Sequence, residues 1–452
     1  MPREPLKVGI SGVRGVVGRS MTPQIAAGWA EAFGNFVGKG PVLVGRDTRP
    51  TGEMVELAVI AGLQSVGCTP VLAGIVPTPT LLLQTATQDV MGGICITASH
   101  NPAEWNALKF IGRDGMFLDL MHSEELFDMF RQQNFRYVAE ADLPIIRKLE
   151  DPLEVHWEKI RAYVDIDLIR AQGFKVAVDC CNGVGALSAV PFLRDELGCE
   201  VFPIHDAPNG RFERGAEPTP DHLTALCETT KDNGCQIGFA QDPDGDRLAI
   251  VSEQGEAIGE DYTLVFAAQQ VLERHKQGPI VVNLSCGKLF EHVAKQHDVP
   301  VYRTKIGEIH VSTRMLREGS VIGGEPNGGV IIPEIHPCRD SYGGMAIILE
   351  RLAHQQKTIT ELRDELPTYV ISKKKMEIRS GEAPRLLRAL RRRYEDKEIN
   401  LLDGVHIDFG DHWVHVRASN TEPVMRVVAE APSLAQADGL TEELIAFLSA
   451  PA

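Results

Sequence analysis

Gly92-Gly93-Ile94-Cys95-Ile96-Thr97-Ala98-Ser99-His100-Asn101-Pro102 joins a short apolar run to a polar turn. The run 92–96 reads as a buried strand, and Asn101-Pro102 is a turn signal. Ser99 is therefore presented just past a strand end, next to a histidine and among free backbone N–H groups. A hydroxyl so placed can carry a phosphoryl group or attack one. Taken alone, residues 97–102 also fit a Ser/Thr-rich turn that caps the next helix. Working outward, the first 150 residues alternate strand and helix patterns, the βαβ rhythm of a layered, mainly parallel or mixed sheet. Thr22 is placed to cap a helix that buries Ile25, Trp29, Phe33 and Phe36, spaced for one face. Residues 41–44 read as the next strand, and Thr51 starts a second helix carrying Met54, Val55, Ala58, Val59 and Leu63.

A second informative stretch is Gln241-Asp242-Pro243-Asp244-Gly245-Asp246-Arg247. Three carboxylates at alternate positions, bent by Pro and Gly, can converge on one hard cation of the Mg²⁺, Mn²⁺ or Ca²⁺ type. An EF-hand calcium loop fails at its sixth position, where Arg247 replaces the required Gly. Residues 248–251 then continue as a strand. Gly323-Gly324-Glu325-Pro326-Asn327-Gly328-Gly329 offers a carboxylate and a carboxamide on a backbone free to approach a ligand; a Gly-rich hairpin explains the segment equally well. Arg417-Ala418-Ser419-Asn420-Thr421-Glu422-Pro423, followed by Arg426, sets two guanidiniums around hydroxyl and amide donors, chemistry suited to clamping a phosphate dianion. By itself it also fits a polar hairpin turn.

With four such loops in this order and spacing, the chain resembles the α-D-phosphohexomutase superfamily from end to end. The family's phosphoserine loop matches residues 97–102 and extends to Asn106 and Lys109, its metal loop 242–247, its sugar loop 324–328, and its phosphate loop 417–423 with Arg426. Gly12-Val13-Arg14-Gly15, Gly45-Arg46-Asp47-Thr48-Arg49 and Thr304-Lys305-Ile306-Gly307-Glu308 match as well. The resemblance implies three successive related α/β layered domains with mixed sheets plus a smaller C-terminal α+β domain, around a central cleft. It also implies phosphate carried on Ser99 as phosphoserine, with one Mg²⁺ per active site held by Ser99, Asp242, Asp244 and Asp246. Phosphate then moves between O6 and O1 of a hexose phosphate through a hexose 1,6-bisphosphate, which acts as intermediate and activator. Arg247 is expected to stabilise charge on the transferring group. One of His100, Lys109 and Arg14 is expected to handle the hydroxyl proton. Glu325 and Asn327 are expected to read the sugar, and Arg417, Ser419, Asn420, Thr421 and Arg426 its phosphate. Glucosamine phosphate is the preferred substrate reading, with mannose and glucose phosphates as alternatives. A phosphoserine-dependent hydrolase and a silent sugar-phosphate binder are the rival classes. The chain departs from the family at Ala107, where many relatives have Gly, and at Gly329 and Pro326-Asn327. The last two lie in the sugar loop and bear on which hexose is accepted.

At 452 residues the chain exceeds one core and should form three or four domains. The expected divisions are 1–150 with the phosphoserine loop, 151–254 with the metal loop, 255–366 with the sugar loop and 367–452 with the phosphate loop. The segment 147–158 reads as a charged helical link between the first two. Asn182-Gly183-Val184-Gly185 opens a helix, and its glycines fit tight strand-to-helix packing better than a phosphate cradle. After Pro367, the run Lys373-Lys374-Lys375 and an arginine-rich helix near 385–394 mark the smaller domain, whose charges read as solvated faces. A final helix is expected over 434–448. Lys plus Arg number 46 against 62 Asp plus Glu, a net charge of −16 that argues against a nucleic-acid surface. Nine unpatterned cysteines fit reduced thiols in a cytoplasmic protein. Met1-Pro2-Arg3-Glu4-Pro5 lacks the apolar core of a signal peptide, and no run approaches the ~20 apolar residues of a membrane span. The expected partner is a hexose phosphate, with the protein a homodimer or a monomer and no nucleic acid or membrane involved.

Overall fold

The computed structural model describes residues 6–10, 12–275, 277–379, 381–419 and 424–450. The chain divides into two compact units, Met1–Gln270 with Asn327–Thr360, and Val271–Pro326 with Glu361–Ala452.

The first unit is built on a seven-stranded mixed sheet in the order Lys7–Gly9, Gly12–Val16, Trp105–Ile111, Gly92–Ile96, Pro41–Arg46, Thr69–Ile75, Arg147–Lys148. Pro41–Arg46 runs parallel to both neighbours, whereas Gly92–Ile96 meets Trp105–Ile111 antiparallel. The strand 92–96 is buried at every position, as a central strand covered on both faces must be. Helices fill those faces. Thr22 caps Pro23–Val37 as expected, its hydroxyl accepting from the Ile25 N–H at 3.3 Å. Thr51 precedes Gly52–Ser65 but makes no side-chain cap. The segment 147–158 is not one helical link. Arg147 and Lys148 form a short edge strand on Val71 and Leu72, and the helix begins only at Glu154. Two residues are too few for strand periodicity to show, so pairing with the existing sheet edge overrides their helix-compatible composition.

Trp29 anchors this core. It is 2% exposed, stacks on Phe130 with ring centroids 3.8 Å apart, and meets Phe127 edge-on at 5.6 Å. Trp29→Ala should therefore cost about 3–5 kcal/mol in denaturant unfolding. A loss below about 1 kcal/mol would show that this aromatic cluster is not where the unit's stability resides.

The same unit carries a four-stranded sheet, Leu248–Ser252, Ile237–Gln241, Lys175–Asp179, Glu200–Ile204. Its first pair is antiparallel and the other two pairs are parallel. The hairpin Gly329–Ile332 and His336–Arg339 leads into the helix Ser341–Gln355. In the second unit, Val301–Thr304, Ile280–Asn283 and Ile322–Glu325 form a parallel ladder. A five-stranded antiparallel sheet, Val370–Glu377, Val424–Ala431, Trp413–Ala418, Val405–Asp408, Glu398–Asn400, is covered by Ala383–Arg393 and Leu434–Ser449. Among the described residues no helix is long and apolar enough to cross a membrane.

Candidate active site

Ser99 leaves the central strand in the left-handed region, with φ of 47°. A non-glycine residue held there marks a backbone fixed by its surroundings. Its amide donates to Thr97 Oγ1 at 2.9 Å, and its buried hydroxyl donates to Asp242 Oδ2 at 3.0 Å. His100 Nδ1 lies 3.5 Å from the same hydroxyl.

Asp242 starts the turn of a hairpin whose last and first paired residues are Gln241 and Leu248. Its Oδ1 accepts from the N–H groups of Asp246 at 3.1 Å and Arg247 at 3.1 Å, which folds the loop back on itself. Gly245 supplies the positive φ of 70° that this reversal needs. Gly183 packs so closely on the loop that a Cβ there would sit 2.6 Å from the Pro243 carbonyl oxygen. Close packing thus accounts for that glycine, though against the Pro243 turn rather than between strand and helix.

The three carboxylates are fully buried, and ligand atoms from each lie within 4.8 Å of one another. Asp244 Oδ2 accepts from Lys109 Nζ at 2.8 Å and Thr78 Oγ1 at 2.9 Å, and Asp246 Oδ2 from Arg339 Nη2 at 2.6 Å. Asp244 Oδ1 and Asp246 Oδ1 are buried with no hydrogen-bond partner among the described residues. Buried acceptors left over on adjacent carboxylates suit a hard cation with oxygen ligation. Burial, and then the charges of Asp246 and Asp244, push the Asp242 carboxyl well above the usual range. Burial works the same way on Asp244, but the Lys109 charge and the hydrogen bonds from Asp242, Lys109 and Thr78 together outweigh it and hold that carboxyl far below. The donor set therefore fits Mg²⁺.

Cations ring this cluster. Lys109 projects from Trp105–Ile111 two residues beyond Ala107, and Arg14 pairs opposite Ala107, so both leave the same face of the sheet. Burial opposes the Lys109 charge, yet Asp244 and Asp246 more than offset it and raise its pKa. Arg14 Nη1 donates to Asn101 Oδ1 at 3.2 Å. Arg247 donates to Glu217 Oε1 at 2.6 Å and to His100 Nδ1 at 3.0 Å. With Arg247, burial, Arg14 and Arg339 all acting against a positive imidazole, His100 falls to about 2 and is a neutral acceptor. Arg339 and Thr78 escaped the sequence reading. Nothing local to Thr78 or Arg339 marks either as part of a site.

Asn327, also in the first unit, sits at a positive φ of 73° in the turn between Ile322–Glu325 and Gly329–Ile332. In the second unit, Glu325 Oε1 accepts from Asn283 Nδ2 at 2.8 Å and from the Gly307 N–H at 2.7 Å. Arg417 and Arg426 are directly opposed across the ladder of Trp413–Ala418 and Val424–Ala431. Like charges in register repel, and Arg426 Nε is buried with no hydrogen-bond partner among the described residues. Burial lowers the Arg417 pKa; Asp403 offsets part of that, and the Arg426 charge adds a smaller push in the same direction as burial. Two half-buried, opposed guanidiniums suit an anion. The Ser419 N–H donates to the Val424 carbonyl at 2.9 Å, whereas Asn420 and Thr421 lie outside the described residues.

Comparison with known proteins places the chain in a family. Models of the phosphoglucomutase/phosphomannomutase α/β/α domains I, II and III match residues 5–137, 154–255 and 259–369, and that of the C-terminal domain matches 375–447. The chain belongs to the phosphoglucomutase/phosphomannomutase family. It is 37% identical to the "Phosphoglucomutase/phosphomannomutase" of Thermococcus kodakarensis, over 94% of each chain. It is 36% identical to the Methanopyrus kandleri protein named "Probable phosphoglucosamine mutase", over 97% of this chain and 96% of that one. The crystal structure of a phosphoglucomutase/phosphomannomutase family protein from Burkholderia thailandensis, 25% identical, superposes with a TM-score of 0.86 over 99% of both chains. As a phosphoglucomutase/phosphomannomutase family member, the protein is an isomerase of the intramolecular phosphotransferase kind, with three related α/β domains and a distinct C-terminal one.

Proposed function

We propose that this phosphohexomutase interconverts glucosamine 6-phosphate and glucosamine 1-phosphate, with Ser99 as the phosphoryl carrier. The observation that carries the mechanism is the Ser99 hydroxyl in hydrogen-bond contact with a buried carboxylate triad ringed by Lys109, Arg14, Arg247 and Arg339. Asp242, Asp244 and Asp246, with an oxygen on Ser99, would hold Mg²⁺. Bound there, the ion would neutralise charge on the phosphoryl oxygens.

The phosphoryl group starts on Ser99 Oγ. A free sugar hydroxyl attacks phosphorus, the P–Oγ bond breaks, and the proton balance sends one proton from the sugar to Ser99 Oγ. Of His100, Lys109 and Arg14, only His100 is uncharged, and its Nδ1, 3.5 Å from Ser99 Oγ, already accepts from Arg247. Lys109, fixed on Asp244, and Arg247, fixed on Glu217 and His100, lose little freedom when they meet the transferring group. The product is a hexose 1,6-bisphosphate, which turns over and returns its other phosphate to Ser99. Glu325 and Asn327 read sugar hydroxyls, and Arg417, Ser419 and Arg426, with Asn420 and Thr421, hold the phosphate that is not transferring. The glucosamine assignment rests on relatives that bear that name alongside others named for glucose and mannose phosphates.

Coupled assays on glucosamine, mannose and glucose 1-phosphates test the substrate. The expected order puts glucosamine 1-phosphate first in kcat/KM, and a rate far below the other two rejects it. Arg417→Ala should raise KM by about 10–100-fold, the worth of a charge-assisted hydrogen bond to phosphate. An unchanged KM would remove Arg417 from the clamp.

A further inference from the structure

We propose that Arg49 is a positioning residue, whose guanidinium fixes the backbone from which Ser99 presents its hydroxyl. Arg49 is wholly buried, and each of its five N–H groups has an acceptor. Nε donates to Asp47 Oδ2 at 2.9 Å. Nη1 donates to the carbonyls of Pro102 at 2.6 Å and Trp105 at 3.0 Å. Nη2 donates to those of Ser99 at 2.6 Å and Asn101 at 2.8 Å. Four of the five bonds thus gather carbonyls along 99–105, and the Phe212 ring packs 4.8 Å from the guanidinium carbon.

The other end of Ser99 is held through the same pair. Asp47 Oδ2 accepts from Thr97 Oγ1 at 2.7 Å, and Thr97 Oγ1 accepts the Ser99 N–H. Asp47 and Arg49 together therefore fix both the amide and the carbonyl of the residue with φ of 47°. Such a conformation persists only where its surroundings over-determine it. A planar fork with five donors can gather these acceptors, whereas a lysine has three donors on a tetrahedral head. Arg49 touches neither Ser99 Oγ nor the carboxylate triad, so its effect on transfer runs entirely through loop geometry. A misplacement of about 1 Å at a reacting atom can cost roughly 100-fold in rate.

The inference rests on the reading of Ser99 as phosphoryl carrier. Wild type, Arg49→Lys and Asp47→Asn are assayed well below their melting temperatures, with kcat and KM measured separately. The rate of Ser99 phosphorylation by glucose 1,6-bisphosphate is followed by intact mass. Arg49→Lys should lower kcat and the phosphorylation rate together by about 100-fold, with KM within about 2-fold of wild type. Asp47→Asn should change the same two quantities in the same direction by a smaller factor, and it carries the test if Arg49→Lys does not fold. A folded variant with kcat within about 3-fold of wild type, or a loss confined to KM or to melting temperature, overturns the role. Wild type that takes no phosphate on Ser99 instead overturns the carrier reading beneath it.

Discussion

Ser99→Ala should abolish turnover, lowering kcat by roughly 10⁴–10⁶-fold while the protein keeps its fold. The side chain is small and buried, and its one strong side-chain bond, to Asp242, can be lost without opening a cavity. Unfolding temperature should therefore move little. What disappears is the oxygen that carries phosphate, and no neighbour can stand in for it. Lys109 is fixed on Asp244, Thr97 Oγ1 already serves Asp47 and the Ser99 amide, and Thr78 faces Asp244. The variant should gain no phosphate when incubated with a hexose 1,6-bisphosphate. Residual activity above about 1% of wild type would mean that phosphate travels by another route.

Asp244→Asn should cost nearly as much, by a different mechanism. Asparagine keeps the shape but removes the charge that Lys109 pairs with at 2.8 Å, leaving a buried ammonium facing an amide. It also removes one of three carboxylates around the candidate cation site. Activity should fall by about 10³-fold at saturating Mg²⁺, and the Mg²⁺ concentration giving half-maximal activity should rise at least about 10-fold. A readout independent of turnover exists. Mg²⁺ should raise the melting temperature of wild type by binding the folded state alone, and should shift Asp244→Asn much less. Chelation should silence wild type, and Mg²⁺ should restore it. Wild type indifferent to chelator would remove the metal from the account.

The parts of this site that could be read in the sequence are those whose function is encoded locally. The alternation of Asp242, Asp244 and Asp246 around Pro243 and Gly245 is a turn and a ligand set at once, and the loop has that form. Ser99 was visible because an apolar strand stops three residues before it. Thr22, likewise, sits at the head of a periodic run and caps it. Thr78 and Arg339 were not visible, because each acts through a partner far along the chain, and Arg49, though in the matching stretch 45–49, carried no sign of the carbonyls 50–56 residues away that it gathers. Thr78 meets Asp244 across 166 residues, and Arg339 meets Asp246 across 93. No spacing rule links such pairs; only the folded sheets bring them together. The edge strand at Arg147 was missed for a related reason. Its structure is imposed by Val71 and Leu72, not by its own residues. In the second unit, Arg417 and Arg426 looked like two arginines in one polar segment. Register adds what spacing could not: the two are directly opposed, so each raises the cost of the other's charge and both favour an anion.

Phosphate should pass from the Ser99 oxygen to a sugar and back without escaping to water. This is tested most directly by loading the enzyme from a radiolabelled hexose 1,6-bisphosphate, isolating the protein, and chasing with unlabelled hexose monophosphate. The label should be found on the peptide that contains Ser99, and the chase should move it quantitatively into sugar phosphate. Label leaving as inorganic phosphate, or never reaching that peptide, would contradict the account.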